Sequence, residues 1–389
     1  MDNKTRTRHT LISIILLIIL FAPPALILSQ HYTAGSGFLA MIYFGQNFQK
    51  SALPDVKEIS PVTSSTWGYD GQFYAQLALH PDLKDPNLAN ALDNPVYRAR
   101  RIGLSLLAFC LGLGKPTWIL QIYALLNFFF WLVLLLAIYH FVGLKKPRDW
   151  LLAFALLWST GTLVSVARSL PDLPATVLGV LALFSNNNWI MAAALLGISG
   201  LFKETSVLSF TAIPWSNGSI KSNIKRLVIS VMILILPIAL WLIYVHMRMP
   251  SGSAMGTNNF NYPLFGIIHK LGGSVSELAI GVGHISFYDQ AVLISEIICA
   301  LSLTVQAIYL FTIPELSSAT WRFGIGFAIL FTLLGDNVWV NQYAYCRVLL
   351  PLTFSFNLMI HEYEKDYKYW IWYILGNGGM CGMLIYSLL

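Results

Sequence analysis

Residues 11–29 and 116–142 are apolar runs without a single ionised side chain, each long enough to cross a bilayer core, which takes about 20 residues of helix. Inside hydrocarbon no water can satisfy backbone amides, so such a segment must be an α-helix or part of a closed barrel. The runs are continuous and lack two-residue alternation, which excludes a barrel. Of the 389 residues 56% are hydrophobic and 11% charged, against about a quarter charged in soluble domains. That composition cannot cover a water-facing surface. The chain is therefore expected to be an all-α polytopic membrane protein, with residues 1–389 forming one membrane domain.

The net charge of +6 follows from where lysine and arginine fall. Lys4, Arg6 and Arg8 precede the first run and place the amino terminus inside, because cationic residues collect in cytoplasmic segments. That first run is too long for a signal-peptide core and lacks a clear cleavage site, so it reads as an uncleaved helix, kinked at Pro23-Pro24. Later spans are expected near 117–142, 150–168, 173–185, 189–201, 205–215, 227–246, 289–313, 322–335, 346–361 and 369–388. With the first span at 10–29, or extended toward Phe48, this makes about eleven transmembrane helices. Lys145, Lys146 and Arg148, then Lys221, Lys225 and Arg226, then Lys365 and Lys368 all become cytoplasmic. No arginine-rich tract suggests a nucleic-acid partner. Cys110, Cys299, Cys346 and Cys381 have no paired spacing and read as packing residues.

The same alternation leaves residues 49–115 as a large first outer loop. Within it, 69–80 is expected to form a short helix stopped by Pro81, and 86–92 another. The apolar stretch 102–114 is too short to span and is expected to be interfacial or re-entrant. A second outer loop is expected over 246–290, and a third over 336–347.

The first loop contains Trp67-Gly68-Tyr69-Asp70-Gly71-Gln72-Phe73-Tyr74. A carboxylate such as Asp70 can accept the proton of a hydroxyl attacking an anomeric carbon. Trp67, Tyr69, Phe73 and Tyr74 offer faces on which a sugar ring can stack, with Gln72 as a polar neighbour, and Asp70 and Tyr74 would share a helix face. The plainer alternative is that Asp70 caps the short helix. Arg98 and Arg101, in Tyr97-Arg98-Ala99-Arg100-Arg101, are candidates for binding a phosphate at headgroup level, or simply anchor the loop to anionic lipid.

Lys203 and Glu204 interrupt apolar sequence, and ionisable groups there are functional hypotheses by default. Lys203 suits the phosphate of a lipid carrier, with Glu204 as a substrate-binding candidate; the alternative is a mutual Lys203–Glu204 pair. Arg347, following Asp336, Asn341, Gln342 and Tyr345, opens the apolar stretch 348–359 at phosphate height. In Arg168-Ser169-Leu170-Pro171-Asp172, Asp172 could bind substrate hydroxyls or a cation, although an Arg168–Asp172 pair is simpler. The eight histidines show no metal-ligand spacing, and neither a P-loop nor a serine-hydrolase elbow is present.

The segments WGYDGQFYAQLALHPDL, LDNPVYRARRIGLSLLAF, GISGLFKETSVLSFTAIP and CRVLLPL resemble the integral membrane glycosyltransferases of the GT-C superfamily, in particular bacterial members that build cell-surface glycopolymers. The resemblance covers most of the chain. It implies a GT-C-like fold with a large periplasmic first loop holding short and re-entrant helices, in the bacterial inner membrane. It implies a polyprenyl-phosphate-linked sugar as donor, a glycan or lipid-linked acceptor, and inversion at the anomeric carbon. Asp70 then matches the catalytic base, while Lys203 and Arg347 match basic residues holding the lipid phosphate. Some relatives need a divalent cation such as Mg or Mn; here the usual acidic pair is not evident and Asp172 is the nearby-loop candidate.

Three other classes compete. A non-catalytic membrane scaffold gives no reason for Asp70 amid stacking aromatics. A lipid-linked sugar flippase or transporter would show internal repeats and helices broken at the midplane; the sequence shows no two-fold repeat, and its polar groups cluster toward the outer face instead. An O-antigen polymerase or ligase would concentrate basic residues in a large later loop, whereas here the largest loop is the first and carries the acid.

Overall fold

The computed structural model describes residues 3–185, 188–214, 220–250, 259–281 and 285–382. Among them the secondary structure is helical, with isolated bridges in place of strands. Four helices are long and apolar enough to cross a membrane: Thr10–His31, Pro116–Phe141, Asn223–Arg248 and Phe287–Thr312. The count rises to six if the bent pairs Pro147–Leu157 with Thr160–Ala167 (48°) and Gln342–Val348 with Leu350–Tyr363 (60°) are each one span. The segments Asp172–Leu183, Trp189–Phe202 and Ala319–Leu333 are apolar but shorter. At 1.5 Å per residue, helices of 12 to 15 residues reach about 18–23 Å, less than the roughly 30 Å of hydrocarbon.

Two helices form the interior and two the periphery. Of the apolar 18-residue stretch in each, 56% is buried in Pro116–Phe141 and 50% in Phe287–Thr312, against 22% in Thr10–His31 and 17% in Asn223–Arg248. The outer pair exposes Ile14, Ile18, Leu236, Leu240 and Ile243. In water such continuous apolar faces would be a liability; against lipid they are expected. One packed core gathers around Pro116–Phe141 and a second around Phe287–Thr312 with Ala319–Leu333 and Leu350–Tyr363.

The two bent pairs run antiparallel and define the two ends of the molecule. At one end Arg148 stacks on the Tyr369 ring at 3.8 Å and donates to the carbonyls of Ile360 (3.1 Å) and Glu364 (2.5 Å). Asp149 accepts from His361 at 3.1 Å beside it. The segments carrying Lys145, Lys146 and Arg148 and carrying Lys365 and Lys368 therefore share an end, as their common charge required. The opposite ends of the same pairs hold Arg168 and Arg347.

Several sequence expectations need correction. The first helix, Asn3–His31, holds Pro23 and Pro24 within it and ends at His31, short of Phe48. Residues 205–215 are not an α-helical span: Glu204–Ala212 is a 3-10 helix. The 86–92 helix is reduced to a single turn, Ala89–Ala91. The expected loop 246–290 contains a 17-residue helix, Phe265–Gly281, whose Gly272 and Gly273 disguised it. The last span begins as Asp366–Gly376 and Gly378–Cys381, and 383–389 lies outside the described residues.

Residues 49–115 form an ordered cap rather than a loose loop. The expected helix is present as Gly71–Leu79 and the interfacial one as Gly103–Leu111. Buried amides stitch them in place. Gln72 accepts from the Gly45 amide (3.0 Å) and donates to the Trp67 carbonyl (2.7 Å). Gln76 accepts from the Leu53 amide (2.9 Å) and donates to the Ala91 carbonyl (2.8 Å).

Candidate functional site

Glycine permits the close approach that builds the site. A Cβ on Gly71 would lie 2.4 Å from the Arg168 carbonyl oxygen, and one on Gly161 would lie 2.4 Å from that of Cys346. Bare backbone at these positions lets the Gly71–Leu79 helix start against the 168–172 turn, and lets Thr160–Ala167 press against Gln342–Val348. Asp70, Asp172 and Arg347 are thereby drawn together from three separate segments.

Asp70 occupies the N-cap position of its helix but makes no capping hydrogen bond. Its carboxylate accepts instead from two guanidiniums: Arg98 on Oδ1 (2.9 Å) and Arg347 on Oδ2. Burial works to raise this carboxyl, but the charges of Arg98 and Arg347 outweigh it and hold the group far below the usual carboxylate range. Arg347 also lies 3.5 Å from Asp172 Oδ2, and Lys203 Nζ donates to Asp172 Oδ1. Asp70, Arg347, Asp172 and Lys203 thus form one continuous charge chain.

A second cluster abuts it. Arg101 grips Glu204 through two bonds of 2.7 Å, and Arg100 reaches the same carboxylate at 2.7 Å. Arg101 also donates to the Tyr74 hydroxyl (3.0 Å) and the Tyr97 hydroxyl (3.1 Å). Arg98 is tied down by Asp93 with bonds of 2.8 and 2.6 Å and lies over the Phe73 ring at 4.8 Å. Asn94 positions the segment by capping Pro95–Ala99 through the Tyr97 amide.

Both clusters meet at a cavity of about 490 Å³. Its lining includes the charged side chains of Arg100, Arg101, Asp172, Lys203, Glu204 and Arg347. It also includes the apolar Phe260, Leu330, Leu334, Val338 and Val348, with Asn259 and Asn337. The Asn259–Phe260 segment is held along the end of Ala319–Leu333, where Gly335 donates to the Asn259 carbonyl at 2.7 Å. A cavity lined by both cationic and apolar side chains suits an amphiphile bearing an anionic head.

The residues singled out from sequence divide clearly. Lys203, Arg347, Arg101, Asp172 and Glu204 line the cavity, and Asp70 stands directly behind Arg347. Arg98 does not line it, being buried between Asp70 and Asp93. Tyr69 lies beneath the Arg347 guanidinium at 5.3 Å. Trp67 is 66% exposed and packs edge-on against Phe48, away from the cavity. Gln72 and Tyr74 are corrected as substrate-facing groups: both are buried, the first committed to backbone and the second to Arg98 and Arg101.

Two simple pairings also fail. Lys203 and Glu204 do not pair with each other, because Lys203 is extended (φ −154°, ψ 118°) and sends neighbouring side chains apart. Arg168 does not pair with Asp172; it stacks on Tyr43 at 3.8 Å and reaches His31 at 3.4 Å. Arg100 and Tyr97, from the same basic cluster as Arg98 and Arg101, line the cavity as well. Asp93, Thr205, Asn259 and Asn337 carry no local signal in the sequence that marks them as part of the site.

Asp70 and Asp172 are already engaged by Arg98, Arg347 and Lys203, and among the described residues no group of three metal-ligating side chains is assembled. No family model, curated protein or solved structure matches the chain.

Proposed function

We propose that this chain is a membrane glycosyltransferase of GT-C-like architecture that moves a sugar from a polyprenyl-phosphate donor to a glycan or lipid-linked acceptor. The carrying observation is the joining of Asp70, Arg347, Asp172 and Lys203 beside a cavity lined by both cationic and apolar side chains. The cationic side chains would take the phosphate and the apolar ones the first isoprene units.

This placement supports the following reaction. The acceptor hydroxyl oxygen bonds to the anomeric carbon while the bond from that carbon to the phosphate oxygen breaks. The hydroxyl proton passes to the Asp70 carboxylate, and the electron pair leaves with polyprenyl phosphate. Attack opposite the leaving group inverts the configuration. Lys203 and Arg347 stabilise the charge gathering on the departing phosphate, an effect that is large when the cations are fixed in a site of low dielectric.

In this reading the cluster faces the periplasm of a bacterial inner membrane, and the basic end around Arg148 faces the cytoplasm. The amino-terminal lysine and arginines belong to that cytoplasmic end, and the three shorter apolar helices bring the membrane segments among the described residues to nine. The test is reconstitution: purified protein, a polyprenyl-phosphate sugar and a membrane extract should yield glycosylated acceptor and free polyprenyl phosphate in equal amounts. Lys203→Ala should raise the donor KM. Donor consumption that does not depend on the protein would overturn the reading.

A further inference from the structure

Arg347 serves two masters in this arrangement. Its guanidinium holds Asp70 and approaches Asp172, yet it also lines the cavity. Its Nε is a buried donor without a protein partner, and the same holds for Arg100 Nε and the Thr205 hydroxyl on the same cavity. Asp70, meanwhile, has one oxygen on Arg98 and the other on Arg347. A carboxylate gripped from both sides is a poor proton acceptor.

We propose that Arg347 is a positioning residue that latches Asp70 while the cavity is empty and releases it when a phosphate monoester on a lipid chain takes the guanidinium. The proposal rests on the glycosyltransferase reading for the identity of the lipid phosphate. Arg98 stays behind because Asp93 holds it through two bonds, so Asp70 keeps one partner and its orientation. The base becomes competent only when the leaving group is seated beside it, which guards a reactive donor against stray water. Arg347 then neutralises the phosphate as the sugar departs.

The latch makes Asp70 a competitor of the phosphate for Arg347. Affinity for a ligand is lowered by the fraction of protein not in the receptive state, so removing the competitor should strengthen binding. Undecaprenyl phosphate binding to the full chain in nanodiscs, read by tryptophan fluorescence, tests this with undecaprenol as the phosphate-free comparator. Asp70→Asn is expected to bind the phosphate lipid more tightly, on the order of tenfold. Asp93→Asn removes a nearby charge that does not touch Arg347 and should not reproduce the gain.

An Asp70→Asn affinity equal to or weaker than wild type, or a gain matched by Asp93→Asn, would overturn the latch. Should Asp70→Asn fail to fold, wild-type protein carrying ¹³C-carboxyl aspartate still decides. Its infrared difference spectrum should show an aspartate carboxylate band shifting on addition of undecaprenyl phosphate but not of undecaprenol; an unchanged spectrum overturns the proposal. If neither wild type nor Asp70→Asn prefers the phosphate lipid, the latch and the donor assignment fall together. If the Asp70→Asn gain appears but no polyprenyl-phosphate sugar is ever consumed, the latch stands and the transferase reading fails.

Discussion

Arg347 and Asp70, 277 positions apart in the chain, meet as guanidinium and carboxylate at one end of the helix bundle. This contact joins the cap built on Gly71–Leu79 to the bent pair that carries Arg347, and it links the acid to a cavity lined by both cationic and apolar side chains.

The cap-to-bundle junction should be intolerant of a single methyl group. In Gly71→Ala the new Cβ would meet the Arg168 carbonyl, which is backbone and cannot step aside. Overpacking of this kind costs about 1–3 kcal/mol. A lowered melting temperature in detergent, with greater loss of transfer than the melting shift explains, is the expected outcome. Unchanged stability would mean the approach is looser than described.

Glu204 should matter chiefly through the arginines it holds. Glu204→Ala leaves Arg101, which is 11% exposed, without its carboxylate. Leaving a largely buried charge without its partner costs about 3–5 kcal/mol. The double variant Arg101→Met/Glu204→Leu should recover part of that loss. Equal destabilisation by the single and double variants would show that the pair contributes through packing alone.

Acid should weaken the fold in a way that depends on Asp70. Its carboxyl ionises more readily in the folded chain than in the unfolded one, because Arg98 and Arg347 overcome the opposing effect of burial. The resulting stability is present above the ordinary aspartate value of about 4 and is lost as pH falls below it. Melting temperature measured downward from pH 6 should therefore drop more steeply for wild type than for Asp70→Asn. Parallel curves would contradict the double arginine grip.

The sequence revealed what repeats along it and concealed what converges across it. Apolar runs, the helix stopped by Pro81 and the shared end of the basic loops were all legible, because each depends on local pattern or summed charge. The isolated ionisable residues Lys203 and Arg347 stood out because apolar neighbours make such groups costly. Their partners did not. Adjacent Lys203 and Glu204 serve different clusters because the chain turns from helix to extended between them. Ser169, at φ 50°, turns the chain between Arg168 and Leu170, and Arg168 goes to Tyr43 rather than to Asp172. Phe265–Gly281 escaped notice because two central glycines interrupt a helical pattern that its packing nonetheless supports.

The most direct measurement is single-turnover transfer with donor already bound, comparing wild type with Asp70→Asn at matched occupancy. Loss of a general base lowers the chemical step by about 10²–10⁴-fold, and the account expects that loss with donor binding retained and the melting curve still cooperative. A folded, donor-bound Asp70→Asn protein that transfers sugar at the wild-type rate would contradict it.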